Sequence, residues 1–567
     1  MSEILAGELV VQALKENDIE TVFGLVGNQI SPIMVCAEKY GIEIIGARHE
    51  QAAVLMADGW SQVKRKTGVA MVSGGPGFSN CVSSVIKAYF ANTPLLVIVG
   101  ASVTTKKDRN ELQDLDQVGF IKQYTKWSAS VTDPSRIKEY IYKALYLAQT
   151  GKRGPVVLEI PINILKAKVN EDKISGFNKD NLIWSINENC ASRKQLDFIV
   201  DKLDTSEKPI VLVGDSAYYL FAEKALNEFA DLVDLPIYTL GKARGMLSDK
   251  HPNCFGNGRM LDAGEQLFAL KNADLILGFG LTDNYETDLS SCEIYDPNAT
   301  IINIDLDFNE NIFCDKKQHI FFQANVCNVL EQLNECIRSN DLKIERSKWK
   351  KEVLDESEKQ YLYMLQNINK DDIHPLNIIN KINDVMDTND TIVVLDGSNA
   401  MFWGTYGFRF DRTGAFINGP DGTLGPMGCG LALALGAKAA AREKRVVLYT
   451  GDGSFGFNIS ELDTAKRYDL PITIIVHNDT SWGLCKSTQE ILYNATAGVD
   501  LKDVRYDKIV GAFGGDGILV EEMSEELKNK IGETIEKDEL FCFNVIFPSR
   551  LFSPGTNDFN RLLEKMK

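Results

Sequence analysis

The chain has 567 residues, 44% of them hydrophobic, enough to build several buried cores. Its 61 basic and 79 acidic residues leave a formal net charge of −18, which opposes binding to nucleic-acid backbones or anionic membrane surfaces. No apolar run approaches the roughly 20 residues that cross a bilayer, and the N-terminus "MSEILAGELVVQALKEN" lacks a basic start and a small-residue cleavage site. The 11 cysteines form no C-x-x-C pair, and Cys36, Cys327, Cys429 and Cys542 sit in apolar segments, as reduced thiols do. The expected setting is the cytoplasm, with no nucleic-acid or membrane partner.

Three blocks alternate short β-branched or Leu-rich runs with amphipathic helical stretches, the pattern of parallel sheets covered by helices. The first block, residues 1–165, has strands expected at Thr21–Gly27, Ile42–Arg48, Gly68–Gly75, Pro94–Ala101 and Gly154–Pro161. Between Lys166 and Arg193 the chain turns polar and rich in Asn and Asp, which reads as a surface linker. The second block, residues 190–340, resumes with Lys208–Tyr219, "LPIYTLGKARGML", Ala273–Gly280 and Ala299–Asp307. The charged stretch Arg338–Gln360 reads as an exposed helix. The third block, residues 372–552, carries Asp390–Asn399, Lys444–Ser454, Pro471–Asp479 and Leu540–Pro548. The fold class is therefore α/β, with three doubly wound parallel-sheet domains.

In the third block "VVLYTGDGS" brings a strand to its end at Gly451, Asp452 and Gly453, with a helix expected near Ser460–Glu461, and "PITIIVHND" brings Asp479 to the same sheet edge. Ligands of open parallel sheets bind beyond the carboxyl ends of the strands. Two carboxylates there suit a hard divalent cation such as Mg²⁺, which completes its shell with phosphate oxygens, while the glycines admit backbone N–H groups close to a phosphate. Taken alone, the Gly-Asp-Gly is equally an ordinary turn and Asp479 a helix cap.

The whole stretch from Asp452 to Gly483 resembles the cofactor motif of thiamine diphosphate enzymes of the pyruvate decarboxylase and acetolactate synthase type, and the resemblance extends over nearly the whole chain. It implies a pyrimidine-binding domain at 1–165, a central Rossmann-like domain at 190–340 and a diphosphate-binding domain at 372–552. The side chains of Asp452 and Asp479 and the carbonyl of Ser481 would hold Mg²⁺; the family usually has Asn where this chain has Asp479. Gly451, Gly453, Ser454, Trp482 and Gly483 belong to the same motif, with Trp482 at the pocket wall, and Ser398 and Asn399 in "LDGSNA" would contact the diphosphate. "RHEQAA" places Glu50 as the glutamate that hydrogen-bonds the aminopyrimidine ring at N1′. "VSGGPGFSN" resembles the family's S/T-x-G-P-G loop, and "GTLGPMGCG" implies Met427 beneath the ring pair and the Gly425 carbonyl at the 4′-amino group.

Several segments resemble the benzaldehyde lyase, 2-hydroxyacyl-CoA lyase and oxalyl-CoA decarboxylase branch alongside acetolactate synthases. "LQDLDQ" puts Gln113 at or beside an active-site glutamine, and "FGLVGNQ" carries Val26 and Gln29 where benzaldehyde lyase has histidines. With 5 histidines in the chain, His49 and His477 are the two near cofactor motifs. Neutral Asn28, Gln29 and Gln113 are expected to orient a carbonyl or hydroxyl and to relay a proton through water; each is equally open to a structural role.

The resemblance implies a C–C lyase or carboligase acting on a small 2-oxo or 2-hydroxy carbonyl compound, either acetolactate synthase-like or 2-hydroxyacyl lyase-like. It also implies a homodimer or homotetramer with the active site between subunits. A 2-oxoacid or oxalyl-CoA-type decarboxylase is the alternative, and a non-catalytic nucleotide-sensing protein on the same scaffold a further one. FAD, ADP or CoA in the central domain is possible, but no full G-x-G-x-x-G indicates it.

Overall fold

The computed structural model describes residues 3–175, 188–257, 264–282, 287, 294–307, 318–366, 368–369 and 372–565. Residues 176–187 of the expected linker lie outside them; near its described start Lys168–Asn170 pairs antiparallel with Glu3–Leu5.

Three six-stranded sheets, each parallel throughout, carry the fold. The first comprises β1 (Thr21–Gly24), β2 (Glu43–Gly46), β3 (Gly68–Val72), β4 (Leu95–Ala101), β5 (Trp127–Ser130) and β6 (Pro155–Pro161), in the order β2-β1-β3-β4-β6-β5. The central sheet comprises β7 (Pro209–Val213), β8 (Ile237–Thr239), β9 (Cys254–Asn257), β10 (Leu275–Phe279), β11 (Thr300–Asp305) and β12 (Gln318–Gln323), in the order β9-β8-β7-β10-β11-β12. The third comprises β13 (Thr391–Asp396), β14 (Phe416–Asn418), β15 (Arg445–Gly451), β16 (Thr473–Asn478), β17 (Asp516–Val520) and β18 (Phe541–Ile546), in the order β14-β13-β15-β16-β18-β17. This is the three-domain α/β architecture expected.

Inner strands are apolar on both faces because helices cover both. In β7, Val211 and Val213 enter one core with Phe229 and Leu330, while Ile210 and Leu212 enter another with Trp349 and Val353. That second core corrects the expectation of an exposed charged helix over Arg338–Gln360. A helix does form at Ser347–Leu365, but Trp349 and Val353 are buried and the Trp349 indole donates to the Pro209 carbonyl at 3.1 Å. Lys348, Lys351, Glu358 and Lys359 are exposed, while Lys350 reaches inward to the Asn253 side-chain oxygen at 2.6 Å.

Six helices position the residues of interest: α1 (Glu50–Lys64), α2 (Pro76–Phe90), α3 (Pro375–Val385), α4 (Asn399–Gly407), α5 (Gly430–Ala440) and α6 (Gly483–Tyr493). By contact the chain forms two compact units. One joins Met1–Ile186 to Pro420–Glu443 and Phe457–Ile472; the other joins Asn187–Gly419 to Lys444–Gly456 and Thr473–Lys567. In the first unit α1 and α5 touch backbone to backbone. A Cβ on Gly59 would stand 2.2 Å from the Leu433 carbonyl oxygen, and one on Gly436 2.0 Å from that of Met56. Among the described residues no helix is long and apolar enough to cross a membrane.

Candidate active site

In the second compact unit, β13 pairs with β14 on one side and β15 on the other, so the strand order reverses between β13 and β15. Such a switch point leaves a crevice at the carboxyl edge. There Gly397 (φ +88°) brings its backbone so close to β15 that a Cβ would lie 3.1 Å from Ser454 Oγ and 3.3 Å from the Gly451 amide. Asp452 begins a single helical turn, Asp452–Phe455, immediately after β15. Gly451 stands in register with His477 of β16, so Asp452 and Asp479 emerge from neighbouring strand ends. The helix expected near Ser460–Glu461 is a 3₁₀ turn at Ile459–Glu461 running into Leu462–Arg467.

The Asp479 turn is tightly held. Asp479 Oδ1 accepts from the Ser481 amide (3.1 Å) and hydroxyl (2.9 Å), while Asn478 Oδ1 accepts from the Thr480 amide (3.2 Å). Thr480 adopts φ +52°, a costly conformation for a β-branched residue, and these bonds enforce it. The Trp482 ring lies over Gly453, where a Cβ would come within 2.6 Å of it, so only glycine fits. Tyr506 donates its hydroxyl proton to the Asp452 carbonyl at 3.1 Å.

Both carboxylates are buried, Asp452 at 2% and Asp479 at 4% exposure. Asp452 Oδ1 accepts its neighbour Gly453 N–H at 2.9 Å, whereas Oδ2 is buried with no hydrogen-bond partner. Burial, and then the Asp479 charge, push the Asp452 carboxyl up to about 7; burial pushes Asp479 up to about 6 against the Ser481 donors. Two buried acids, one with an orphaned oxygen, are costly as they stand and fit a divalent cation. Among the described residues no third His, Cys, Asp or Glu completes a side-chain ligand set, so main-chain, water or phosphate oxygens would fill the remaining positions.

Asn399, expected at the diphosphate, lies beside Asp479, where its side chain helps to lower that carboxyl's pKa, and it also holds the C-terminal segment. Its Nδ2 donates to the Leu551 carbonyl and its Oδ1 accepts from the Ser553 amide and the Thr556 hydroxyl, tying α4 to the C-terminal segment. Ser398 precedes it at the α4 N-terminus and is partly exposed. His477 is a core residue: it stacks on Phe547 at 4.2 Å, pairs with the Tyr449 hydroxyl at 3.0 Å, and burial pulls its imidazole down to about 3. His49 caps α1, its Nδ1 accepting from Gln51 N–H.

In the first compact unit Glu50 opens α1, partly exposed, with Asn80 donating to its Oε2 at 2.9 Å. A Cβ on Gly77 would lie 3.4 Å from Glu50 Oε1, so the glycine loop after β3 runs beside the carboxylate. That loop is clamped by two glutamines. Gln29 Oε1 accepts from the Gly74 amide at 2.6 Å and Gln117 Oε1 from the Gly75 amide at 2.9 Å, while Gln117 Nε2 donates to Glu159 and the Gly100 carbonyl. Gln113 adopts φ +63° and lies against Gly75. Asn28 and Val26 are exposed, Val26 at 72%, whereas Gln29 is buried. Gly425 has φ +58° with open space where a Cβ would be, and Met427 is half-buried. Gln117 and Asn80 were not foreseen; a second glutamine four residues after Gln113 was the signal available for Gln117.

Family models match this chain in three consecutive parts: the N-terminal TPP binding domain of thiamine pyrophosphate enzymes over residues 5–120, their central domain over 196–333 and their C-terminal TPP binding domain over 396–545. The chain belongs to the thiamine pyrophosphate enzyme family. Among curated relatives, the acetolactate synthase isozyme 3 large subunit of Escherichia coli (strain K12) is 30% identical over 560 residues, covering 94% of this chain and 93% of its own. A 2-hydroxyacyl-CoA lyase 2 of Caenorhabditis elegans is 29% identical over 564 residues, 93% and 86% of the two chains. That of Danio rerio is 27% identical over 589 residues, 97% and 93%. Asp452 and Asp479 lie within the part matched by the C-terminal TPP binding domain, Glu50 within that matched by the N-terminal one.

Proposed function

We propose that this thiamine diphosphate enzyme is a Mg²⁺-dependent C–C lyase or carboligase that makes or cleaves small 2-hydroxy carbonyl compounds, in the manner of the acetolactate synthases and 2-hydroxyacyl-CoA lyases it is similar to. The observation that carries the reading is the buried Asp452–Asp479 pair with its orphaned oxygen, which is unfavourable unless a cation joins it. Asp452, Asp479 and the Ser481 carbonyl hold Mg²⁺, and Gly451, Gly453, Ser454, Ser398, Asn399 and Gly483 shape the diphosphate cradle. Trp482 walls it. Gly425 and Met427 support the ring pair, and Glu50 shares a proton with the aminopyrimidine N1′. Thiamine diphosphate, when bound, supplies an acidic thiazolium carbon able to hold the electron pair of a C–C bond broken beside a carbonyl. Gln113, Asn28 and the Nε2 of Gln29 orient the substrate carbonyl or hydroxyl, since Gln29 Oε1 is already engaged by Gly74.

The reading retains domain limits at 1–165, 190–340 and 372–552, a homodimer or homotetramer whose sites lie between subunits, and work in the cytoplasm. Calorimetry tests the core of it. Thiamine diphosphate uptake should require Mg²⁺ and weaken by at least about 10²-fold in Asp452→Ala, a loss of roughly 2.7 kcal/mol. Undiminished uptake in excess EDTA overturns the assignment. Product analysis with pyruvate alone, pyruvate plus an aldehyde, and a 2-hydroxyacyl-CoA separates carboligation and cleavage from simple decarboxylation, which would appear as free aldehyde from pyruvate.

A further inference from the structure

Within the first compact unit, a buried carboxylate with no role assigned above grips the turn that presents Glu50. Glu461 is fully buried, yet it meets no cation within salt-bridge distance among the described residues. Its Oε1 accepts the backbone N–H groups of Arg48 and His49, each at 3.0 Å. Its Oε2 accepts the Thr464 hydroxyl at 2.7 Å and shares the Arg48 N–H at 3.1 Å. Arg467 adds a bond to the Gly46 carbonyl at 2.6 Å, so the end of β2 and the entry to α1 are held from one side by the short helix Leu462–Arg467 and the residue before it. A carboxylate taken wholly out of water is retained only where its donors repay the desolvation. Here the principal donors are two consecutive main-chain amides, and the residue after them is Glu50.

We propose that Glu461 is the positioning residue for Glu50: by fixing the Arg48–His49 peptide groups it sets where α1 begins and thus where the Glu50 carboxyl stands against the ring it serves. The inference rests on the base role given to Glu50 above. A carboxylate is the fitting device because a single oxygen accepts both amides while the other is pinned by Thr464. An apolar side chain would leave both N–H groups buried without acceptors and free the turn to shift. A displacement of about 1 Å at a proton-transfer group costs on the order of 10²-fold in rate.

The readout is deuterium exchange at the thiazolium C2 of bound thiamine diphosphate in the Mg²⁺-loaded protein, quenched in acid and followed by proton NMR. Glu461→Met should slow exchange by about 10²-fold while the calorimetric dissociation constant for the cofactor moves by less than about threefold. Glu461→Gln, which keeps one oxygen facing both amides, should restore most of the rate. Thr464→Val retains the carboxylate and loosens it, and should slow exchange by about two- to tenfold. Wild-type exchange in folded Thr464→Val and Glu461→Met overturns the proposal, as does a loss of cofactor affinity in Glu461→Met that matches its loss of exchange. Glu50→Gln separates the two levels: if it exchanges at the wild-type rate, the base assignment itself fails, whatever Glu461 does.

Discussion

Asp452 and Asp479 were legible as candidates because each follows an apolar run to the carboxyl edge of a parallel sheet, where ligands bind, and because the stretch from Asp452 to Gly483 as a whole is far more specific than either acid. The amides were not. Gln29 binds a main-chain amide 45 residues away and Glu461 binds two amides more than 400 residues upstream, and spacing in the sequence carries no trace of such partners. His374 shows how a residue's surroundings become a measurable property. Its Nδ1 caps α3 by accepting Leu376 N–H at 3.2 Å, which requires the neutral ring, and it meets the Trp403 ring edge-on at 5.0 Å. Burial pulls its pKa from 6.5 down to about 4, against a smaller upward pull from Asp372. Between those values the unfolded chain binds a proton that the folded one refuses. The stability this residue protects is whole above pH 6.5 and is lost as the pH falls towards 4, by up to about 3 kcal/mol. His374→Asn keeps a cap acceptor that does not titrate, so its melting temperature should fall less than the wild type's between pH 7 and pH 5.

At the scale of elements, every inner strand of the three sheets was readable as a buried apolar run. The five strands missed, β5, β9, β12, β14 and β17, all lie at sheet edges. β5, β9 and β17 are partly solvated and so lack the continuous apolar text that sandwiched strands need, whereas β14 is buried throughout but only three residues long, too short to stand out. The helix Ser347–Leu365 failed in the opposite direction: its charges were visible, while the buried Trp349 and Val353 were too few to mark a face. The crossing of α1 and α5 was likewise hidden, since a glycine inside an Ala-rich helix has several meanings until its neighbour is known. Here the meaning is contact. Gly59→Ala must push α5 away from a backbone oxygen that leaves no room, and should destabilise the protein by about 1–3 kcal/mol or more. Thermal unfolding measures it, and the same substitution at Gly511, where nothing lies within 4 Å of the added methyl, should change the midpoint little.

For the molecule as a whole, the sequence shows three blocks that share one alternation of apolar runs and amphipathic stretches, and the three parallel sheets follow it. What it does not show is that contacts gather the chain into two units. In the second, Arg244 and Asp249 form a buried bidentate pair at 2.9 and 2.7 Å, and Asp249 also accepts the Phe410 amide at 2.8 Å while the guanidinium rests on the Phe410 ring. The pair thus fastens the loop after β8 to the segment before β14. Asp249→Ala strands a buried guanidinium and should cost about 3–5 kcal/mol in the unfolding of this unit, whereas Arg244→Met with Asp249→Leu should recover much of the loss. A midpoint unchanged in the single variant would show that the latch contributes nothing.

The close meeting of α1 and α5 also bears on synthesis. The groove around Gly59 is made early, yet the helix that fills it is encoded roughly 370 residues later. At about 5–20 residues per second a ribosome needs some tens of seconds to supply it. For that interval the nascent N-terminal portion presents an unfinished apolar surface, so chaperone shielding during translation, or a truncated product that aggregates when the message ends before Gly430, is the consequence of two glycines.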